Sequence, residues 1–311
     1  MYNFVLYSRE RAIYSLLVAC AASPLPSKNE VIEFWDSEPC GTRYLGEKSE
    51  FDAQARARYQ LEPHIPAFAG FSSARGLRVL EIGVGIGADY EQWLKAGAIA
   101  TGVDLSQASL EHARRRCTRA GVVPDLHLAD AEELPFASNS FDVVYSYGVM
   151  HHSPNPAKCL KEALRVLKPG GEARIMLYHH ASLTGIMLWL RYAIWRGQSI
   201  RQCVYERLES PRTKTFTRGE VVALMRDFEN VTIEQVFSPG DLLLHEPSSR
   251  FRSPAYRFLW RVFPRKWLRI CYKKLGLFLL ITAEKPRSHE AGSQSLPSKA
   301  EPTQELEHTN V

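Results

Sequence analysis

A chain of 311 residues with 45% apolar side chains can bury the core of one elaborated domain, or of a domain with a cap. Its 39 basic and 34 acidic residues leave a net charge of +5, too small by itself to point to nucleic acid. The six cysteines (Cys20, Cys40, Cys117, Cys159, Cys203, Cys271) are scattered, with no Cys-x-x-Cys pair and no metal-finger spacing, so reduced thiols are the simplest reading.

At the start, Arg9 and Arg11 precede an apolar stretch at residues 13–22 that contains Leu17-Val18-Ala19-Cys20. The pattern has the outline of a lipoprotein signal, and equally that of an N-terminal helix or of a start codon placed too early. Further on, Phe34 and Trp35 would pack a helix onto the body of the protein. The chain then reaches Val79-Leu80-Glu81-Ile82-Gly83-Val84-Gly85-Ile86-Gly87-Ala88. A short apolar run that ends in alternating glycines reads as a buried parallel strand, a tight turn and a helix, here over residues 88–96. Glycines let a ligand approach the backbone, and the helix start presents free N–H groups.

Gly83, Gly85 and Ala88 satisfy the G-x-G-x-x-G/A spacing of dinucleotide folds, and Asp104 follows at the distance where an acid meets a ribose. Two features part from that pattern. Glu81 stands where a dinucleotide strand is apolar, and the third glycine, Gly87, comes one residue early. A buried Glu beside the loop costs several kcal/mol unless it is paired. A role in holding the loop and a cationic ligand would explain it.

Strands fall near 78–83, 99–104, 125–129, 141–146 and 172–178. They alternate with helices, which predicts a parallel sheet covered on both faces. Ser106 caps a helix running to Arg119, whose basic face (Arg114, Arg115, Arg116, Arg119) reads as solvated. Asn155-Pro156 starts a helix to Leu167, which Gly170-Gly171 should break. Residues 183–195 are apolar and aromatic but too short to span a bilayer. Thr217 with Glu220 fits a capping box. Strands six and seven are predicted at 231–236 and 275–283. Between them, residues 250–274 hold nine Lys or Arg and no acid, interleaved with aromatics. That composition suits a membrane surface or an anionic ligand, and also a packed helix with solvated charges. From residue 285 the chain is polar and rich in Ser, Pro and Glu, and is expected to be disordered.

Taken in order, these motifs resemble the class I S-adenosylmethionine-dependent methyltransferases of the small-molecule type, similar to the ubiquinone-biosynthesis group. The resemblance covers roughly residues 75–180. Glu81 to Gly87 match the first motif and Asp104 the acid ending strand two. Asp130-Ala131-Glu132-Glu133-Leu134-Pro135-Phe136 match the adenine-side segment. Phe141-Asp142-Val143-Val144 match strand four, and Leu167-Lys168-Pro169-Gly170-Gly171 match the turn into strand five.

The resemblance implies a Rossmann-like, seven-stranded, mostly parallel α/β sheet whose last strand runs antiparallel at the edge. It further implies an N-terminal lid over residues 1–71, a catalytic domain at 72–284 with cap insertions near 181–214 and 238–274, and a tail at 285–311. The implied cofactor is S-adenosyl-L-methionine. Glu81, Gly83, Gly85 and Gly87 would pass along its methionine and ribose, and Asp104 would hold the ribose hydroxyls. Leu105 would flank the adenine, Asp130 and Ala131 would meet its amino group, and the Tyr147 carbonyl would meet the methionine ammonium. Phe34-Trp35 and Arg58-Tyr59 resemble the family's closing lid.

The base that deprotonates the acceptor is sought among His151, His152, His179 and His180, all at the carboxyl edge of the sheet. No metal is expected, since no carboxylate or cysteine spacing accompanies the histidines. The implied reaction is methyl transfer to a small apolar or lipid-like acceptor, through oxygen, with carbon or nitrogen open. Rival readings are an NAD-dependent oxidoreductase and a non-catalytic cofactor-binding scaffold. A cytoplasmic protein is expected, because the cofactor is found there, which favours the helix reading of the N-terminus. Peripheral contact with an anionic inner membrane surface through residues 250–274 is also expected, and no nucleic-acid partner.

Overall fold

The computed structural model describes residues 27–37, 48–208, 213–244, 261–271 and 273–287. The apolar N-terminal stretch, residues 250–260 of the basic segment and residues 288–311 of the expected tail lie outside the described residues.

Three helices come first: α1 (Lys28–Ser37), α2 (Lys48–Leu61) and α3 (Ile65–Ala69). The alternating unit follows as β1 (Arg78–Ile82), α4 (Ala88–Lys95), β2 (Ile99–Asp104), α5 (Gln107–Arg119), β3 (Asp125–Leu128), β4 (Phe141–Tyr147), α6 (Pro156–Val166) and β5 (Leu167–Tyr178). The cap helices α7 (Leu183–Tyr192) and α8 (Ile200–Arg207) precede α9 (Arg218–Leu224), β6 (Glu229–Val236), α10 (Arg265–Cys271) and β7 (Phe278–Glu284). Several starts are set by local chemistry. Ser106 Oγ accepts from the Ser109 amide at 3.1 Å, Asn155 Oδ1 from the Lys158 amide at 3.1 Å, and Thr217 with Glu220 closes a full capping box.

The strands lie in the order β3-β2-β1-β4-β5-β7-β6. The first five pair in parallel, and β7 runs antiparallel to both β5 and β6. Adjacent residues of one strand go to opposite faces. Leu80 and Val144 join one apolar cluster, while Val79 and Val143 join the other. Strand order reverses between β1 and β4, so the loops after them diverge and leave a crevice at the carboxyl edge.

Four expectations are corrected. First, the antiparallel β7 is not at the edge but between β5 and β6. Its Phe278-Leu279-Leu280-Ile281 run is buried throughout, as an inner strand requires, whereas β6 alternates Thr232 and Glu234 with apolar residues and takes the edge. Second, β5 starts at Leu167 rather than near 172, because Pro169 holds the residue before it extended and Gly170 supplies the local bend. Third, Arg116 is buried, not solvated. It donates to the Ile86 and Phe51 carbonyls (both 3.1 Å) and pairs with Glu91 at 2.9 Å, tying the glycine loop to α2, α4 and α5. Fourth, Lys285 is fixed to the body of the fold. Its ammonium donates to the Leu167 carbonyl at 2.8 Å and to Asn139 Oδ1 at 2.7 Å.

Candidate active site

The crevice opens into a cavity of about 500 Å³, inside the usual range for small-ligand sites. Its floor is the glycine loop. Gly83 has φ +79°, and a Cβ there would fall 2.2 Å from Val149 Cγ2, so the loop passes under the β4 end only as glycine. Gly87 plays a different part. It faces away from the cavity, where a Cβ would meet Ala113 of α5 at 2.9 Å.

Glu81, Gly83, Gly85, Asp104, Leu105, Asp130, Ala131 and Tyr147 all line the cavity. Asp104 accepts from the Gly85 amide at 2.8 Å and the Ser106 amide at 2.9 Å, although burial still raises its pKa. Asp130 and Glu132 share Lys28, which reaches them from α1. The same helix contributes Val31 and Trp35 to the cavity wall, with the Trp35 ring 5.2 Å from that of His152.

Under the loop lies a charged network only part of which is visible as a motif. Asp89, in the first turn of α4, accepts from Arg58 at 2.8 and 3.1 Å, from the Tyr59 hydroxyl at 3.0 Å and from the Tyr145 hydroxyl at 2.9 Å. Burial pushes the Asp89 carboxyl up, but Arg58 and the donated hydrogen bonds outweigh it and hold it below the usual range. Glu81 goes the other way. Burial first, then the Asp89 charge, keep its carboxyl well above the usual range, against the opposing pull of Arg58 and Trp93. Its Oε2 is buried and has no hydrogen-bond partner. Asp89 and Tyr145 are not visible as motifs. The signals that could have found them are an acid two residues after the last loop glycine, and two tyrosines on the same face of β4.

The four histidines separate. His152 lines the cavity. His151 stands behind it, fully buried, stacked on Tyr178 at 3.8 Å between centroids, with neither ring nitrogen hydrogen-bonded. His179 is not on the cavity wall, and its Nδ1 meets the Gln235 amide nitrogen at 2.9 Å. His180 is also off the wall. Burial, then the nearby Lys214 charge, lowers His152 to about 3. Lys214 itself is lowered to about 8 by its burial, and donates to the Ser153 carbonyl at 2.7 Å.

Residues 80–175 match the family described as Methyltransferase domain. Phosphatidylethanolamine N-methyltransferase of Cereibacter sphaeroides is 34% identical over 133 residues, which cover 42% of this chain and 64% of that one. Ubiquinone biosynthesis O-methyltransferase of Aromatoleum aromaticum is 38% identical over 98 residues, 31% of this chain and 42% of that one. The chain thus spans under two thirds of the length of either relative. Among solved structures, the [4+2]-cyclase SpnF shares the fold with a TM-score of 0.54 at 18% identity, covering 85% of this chain and 98% of that chain. Fold alone therefore leaves the reaction open. With Glu81, Gly83, Gly85 and Asp104 on the wall of one cavity, the segment at residues 80–175 is that of a methyltransferase domain.

Proposed function

We propose that this protein transfers a methyl group to a small apolar or lipid-like acceptor, through oxygen. The observation that carries the reading is the buried Glu81 carboxyl, with its Oε2 lacking a hydrogen-bond partner, on the wall of a cavity that is also lined by apolar side chains. The residues present fit S-adenosylmethionine. A buried carboxyl with one oxygen left without a hydrogen bond suits a cationic ligand, Gly83 and Gly85 line the cavity, and Asp104 presents acceptors for hydroxyls. The cofactor, when bound, supplies an activated methyl group on a sulfonium. What remains for the chain is to hold and orient the acceptor and to keep water out. Met150, Met176, Tyr178, Pro239 and Phe278 also line the cavity and offer no charge to an acceptor. The names of the relatives support both lipid-like and phenolic acceptors.

Isothermal calorimetry tests the cofactor half of the reading. S-adenosylhomocysteine should bind and NAD should not. Asp104→Ala and Glu81→Gln should each weaken binding by about 1.5–3 kcal/mol, the scale of a hydrogen bond to a charged group. Glu81→Gln should at the same time stabilise the free protein above the ordinary carboxylate range, since it removes a buried group that resists ionisation. Tight NAD binding would overturn the assignment. Mass spectrometry of cell extract incubated with methyl-labelled cofactor tests the transfer, and a non-catalytic scaffold would bind without labelling anything.

Among the histidines, His152 is the base this reading assigns. His152→Ala should lower turnover on the order of a hundredfold with cofactor affinity kept, while His179→Ala should leave turnover near wild type. Because the Lys214 charge opposes an imidazolium at His152, turnover should rise with pH through about 8, where Lys214 loses its proton. Lys214→Met should flatten that limb. Equal, mild losses at every histidine would leave positioning alone to carry the rate.

Residues 261–271 add support for a peripheral membrane contact by the basic segment. Val262 and Trp267 are 53% and 54% exposed beside the exposed Arg261 and Lys266. Arg265 is committed elsewhere, donating to the Leu242 and Leu243 carbonyls at 2.9 Å each. Such a contact would place a cytoplasmic protein at the inner membrane surface. Among the described residues, no helix is long and apolar enough to cross a membrane.

A further inference from the structure

The cap helix α7 is largely apolar, interrupted by Thr184 and Arg191, yet Gly185 is its only fully buried residue. A helix of that composition is ordinarily enclosed by protein or lipid. Its end and the short turn after it expose three large apolar side chains within six residues: Trp195 is 89% exposed, Leu190 51% and Ile194 37%. Tryptophan at a protein surface of this kind is a bilayer-interface residue, with one part of the ring apolar and the N–H polar.

Charge chooses the occupant. No Asp or Glu occurs in residues 181–205, whereas Arg191, Arg196 and Arg201 do. Arg201 is held by Glu220 at 2.8 Å, while Arg196 and Arg191, the latter over the Tyr192 ring at 5.2 Å, are exposed at the tip. A second copy docked symmetrically would bring like charges of both copies together. An anionic surface meets both the aromatic and the basic side chains.

The start of the helix that carries the tip is tied to the cavity. Thr184, in the first turn of α7, donates through its amide and its hydroxyl to Asp241 Oδ1, both at 2.8 Å. The other oxygen of that fully buried carboxylate accepts from the Ser238 amide at 2.8 Å and the Leu277 amide at 2.7 Å. Pro239 and Phe278, each next to one of these donors, stand on the cavity wall.

We propose that the cap tip formed by Leu190, Arg191, Ile194, Trp195 and Arg196 inserts into an anionic bilayer, docking the acceptor side of the cavity at the membrane. The proposal rests on the membrane contact proposed above and adds a second, apolar anchor to it. Insertion of a large aromatic with two aliphatic neighbours gives affinity that salt does not screen. The basic segment alone would give only the salt-sensitive part.

The test uses the full chain with phosphatidylglycerol–phosphatidylcholine vesicles and with pure phosphatidylcholine. Wild type should sediment with the anionic vesicles, and brominated acyl chains should quench a tryptophan signal that Trp195→Phe removes. The triple change Leu190→Ser, Ile194→Ser, Trp195→Ser should raise the lipid concentration for half-binding by about tenfold or more. Its affinity for S-adenosylhomocysteine should not change. Trp195→Ala alone, at the most exposed of the three positions, provides the same comparison should the triple variant fold poorly. Arg261→Gln with Lys266→Gln should instead reduce only the salt-sensitive part. If wild type stays in the supernatant at low salt, both the membrane reading and the tip fail. If wild type binds, the tip variants bind equally and the Gln variant is released, the tip proposal falls while the basic-segment contact stands. A dimer that the tip substitutions dissolve, with no lipid binding, would show that a second copy covers this surface and would overturn the proposal.

Discussion

Asp89→Ala should lower the free energy of folding by about 3 kcal/mol or more. Asp89 is 4% exposed and accepts four hydrogen bonds, from Arg58, Tyr59 and Tyr145. Without it, the fully buried Tyr145 hydroxyl loses its acceptor, and an orphaned buried donor costs about 1–3 kcal/mol. Arg58 loses its main counter-charge and keeps only Glu62, 3.7 Å away. The effect should exceed that of any surface ion pair, whose worth is typically below about 1 kcal/mol. Asp89→Asn should fall between, because it can still accept but carries no charge. The depressed carboxyl fixes the pH behaviour. Its contribution is complete above the unfolded value of 3.8 and is lost as pH falls through the lower folded value, so the variant should lose its disadvantage only in strong acid. Urea denaturation at neutral pH decides the matter, and a loss of less than about 1 kcal/mol would show that the network contributes little.

Mild acid should destabilise this protein by a few kcal/mol between about pH 6.5 and pH 4. Burial is the first cause in every case: it lowers His64 to about 4, His152 to about 3 and His179 to about 4. His151 and His180 are lowered as well, again first by burial. The unfolded chain takes up protons near 6.5 while the fold refuses them until lower pH, so the unfolded state binds more protons in that window and stability falls with pH. One histidine contributes at most about 1.4 kcal/mol per pH unit, and His64 and His179 less, because neither is fully enclosed. Glu81, Asp104 and Asp241 act with the opposite sign, since burial raises each of them and the fold takes their protons first. Five histidines against three carboxylates leave a net loss. Melting temperatures across this range would show it, and His179→Asn should reduce the slope. Stability that stays level or rises down to pH 4.5 would sink the prediction.

Much of the site could be read from residues that stand next to one another in the chain. The strand, glycine loop and helix need only local geometry, so Glu81, Gly83, Gly85 and Asp104 were identifiable before any contact was known. Asp130, Ala131 and Leu105 came from the family resemblance alone, and all three line the cavity. What local pattern could not supply was the pairing of groups far apart in sequence. Asp89 and Arg58 lie thirty-one positions apart and meet only because α2 crosses the start of α4. Arg116 reads as one of four basic residues on a solvated helix face, yet it is buried because its guanidinium satisfies carbonyls on two other elements. The histidine pairs show the same limit. Residues 151 and 152 are neighbours, but the turn after β4 sends one ring to the cavity wall and the other against Tyr178.

The sequence by itself determined the parallel half of the sheet and the loop, because apolar period, glycine spacing and helix caps act over a few residues and hardly depend on distant partners. Tertiary structure alone decided the order β5-β7-β6, which of four histidines faces the cavity, and the upward shift of the Glu81 carboxyl. Each of these depends on desolvation and on which distant groups fill the space beside it. Burial at a given residue is a property of the whole fold, and only the packed chain fixes it.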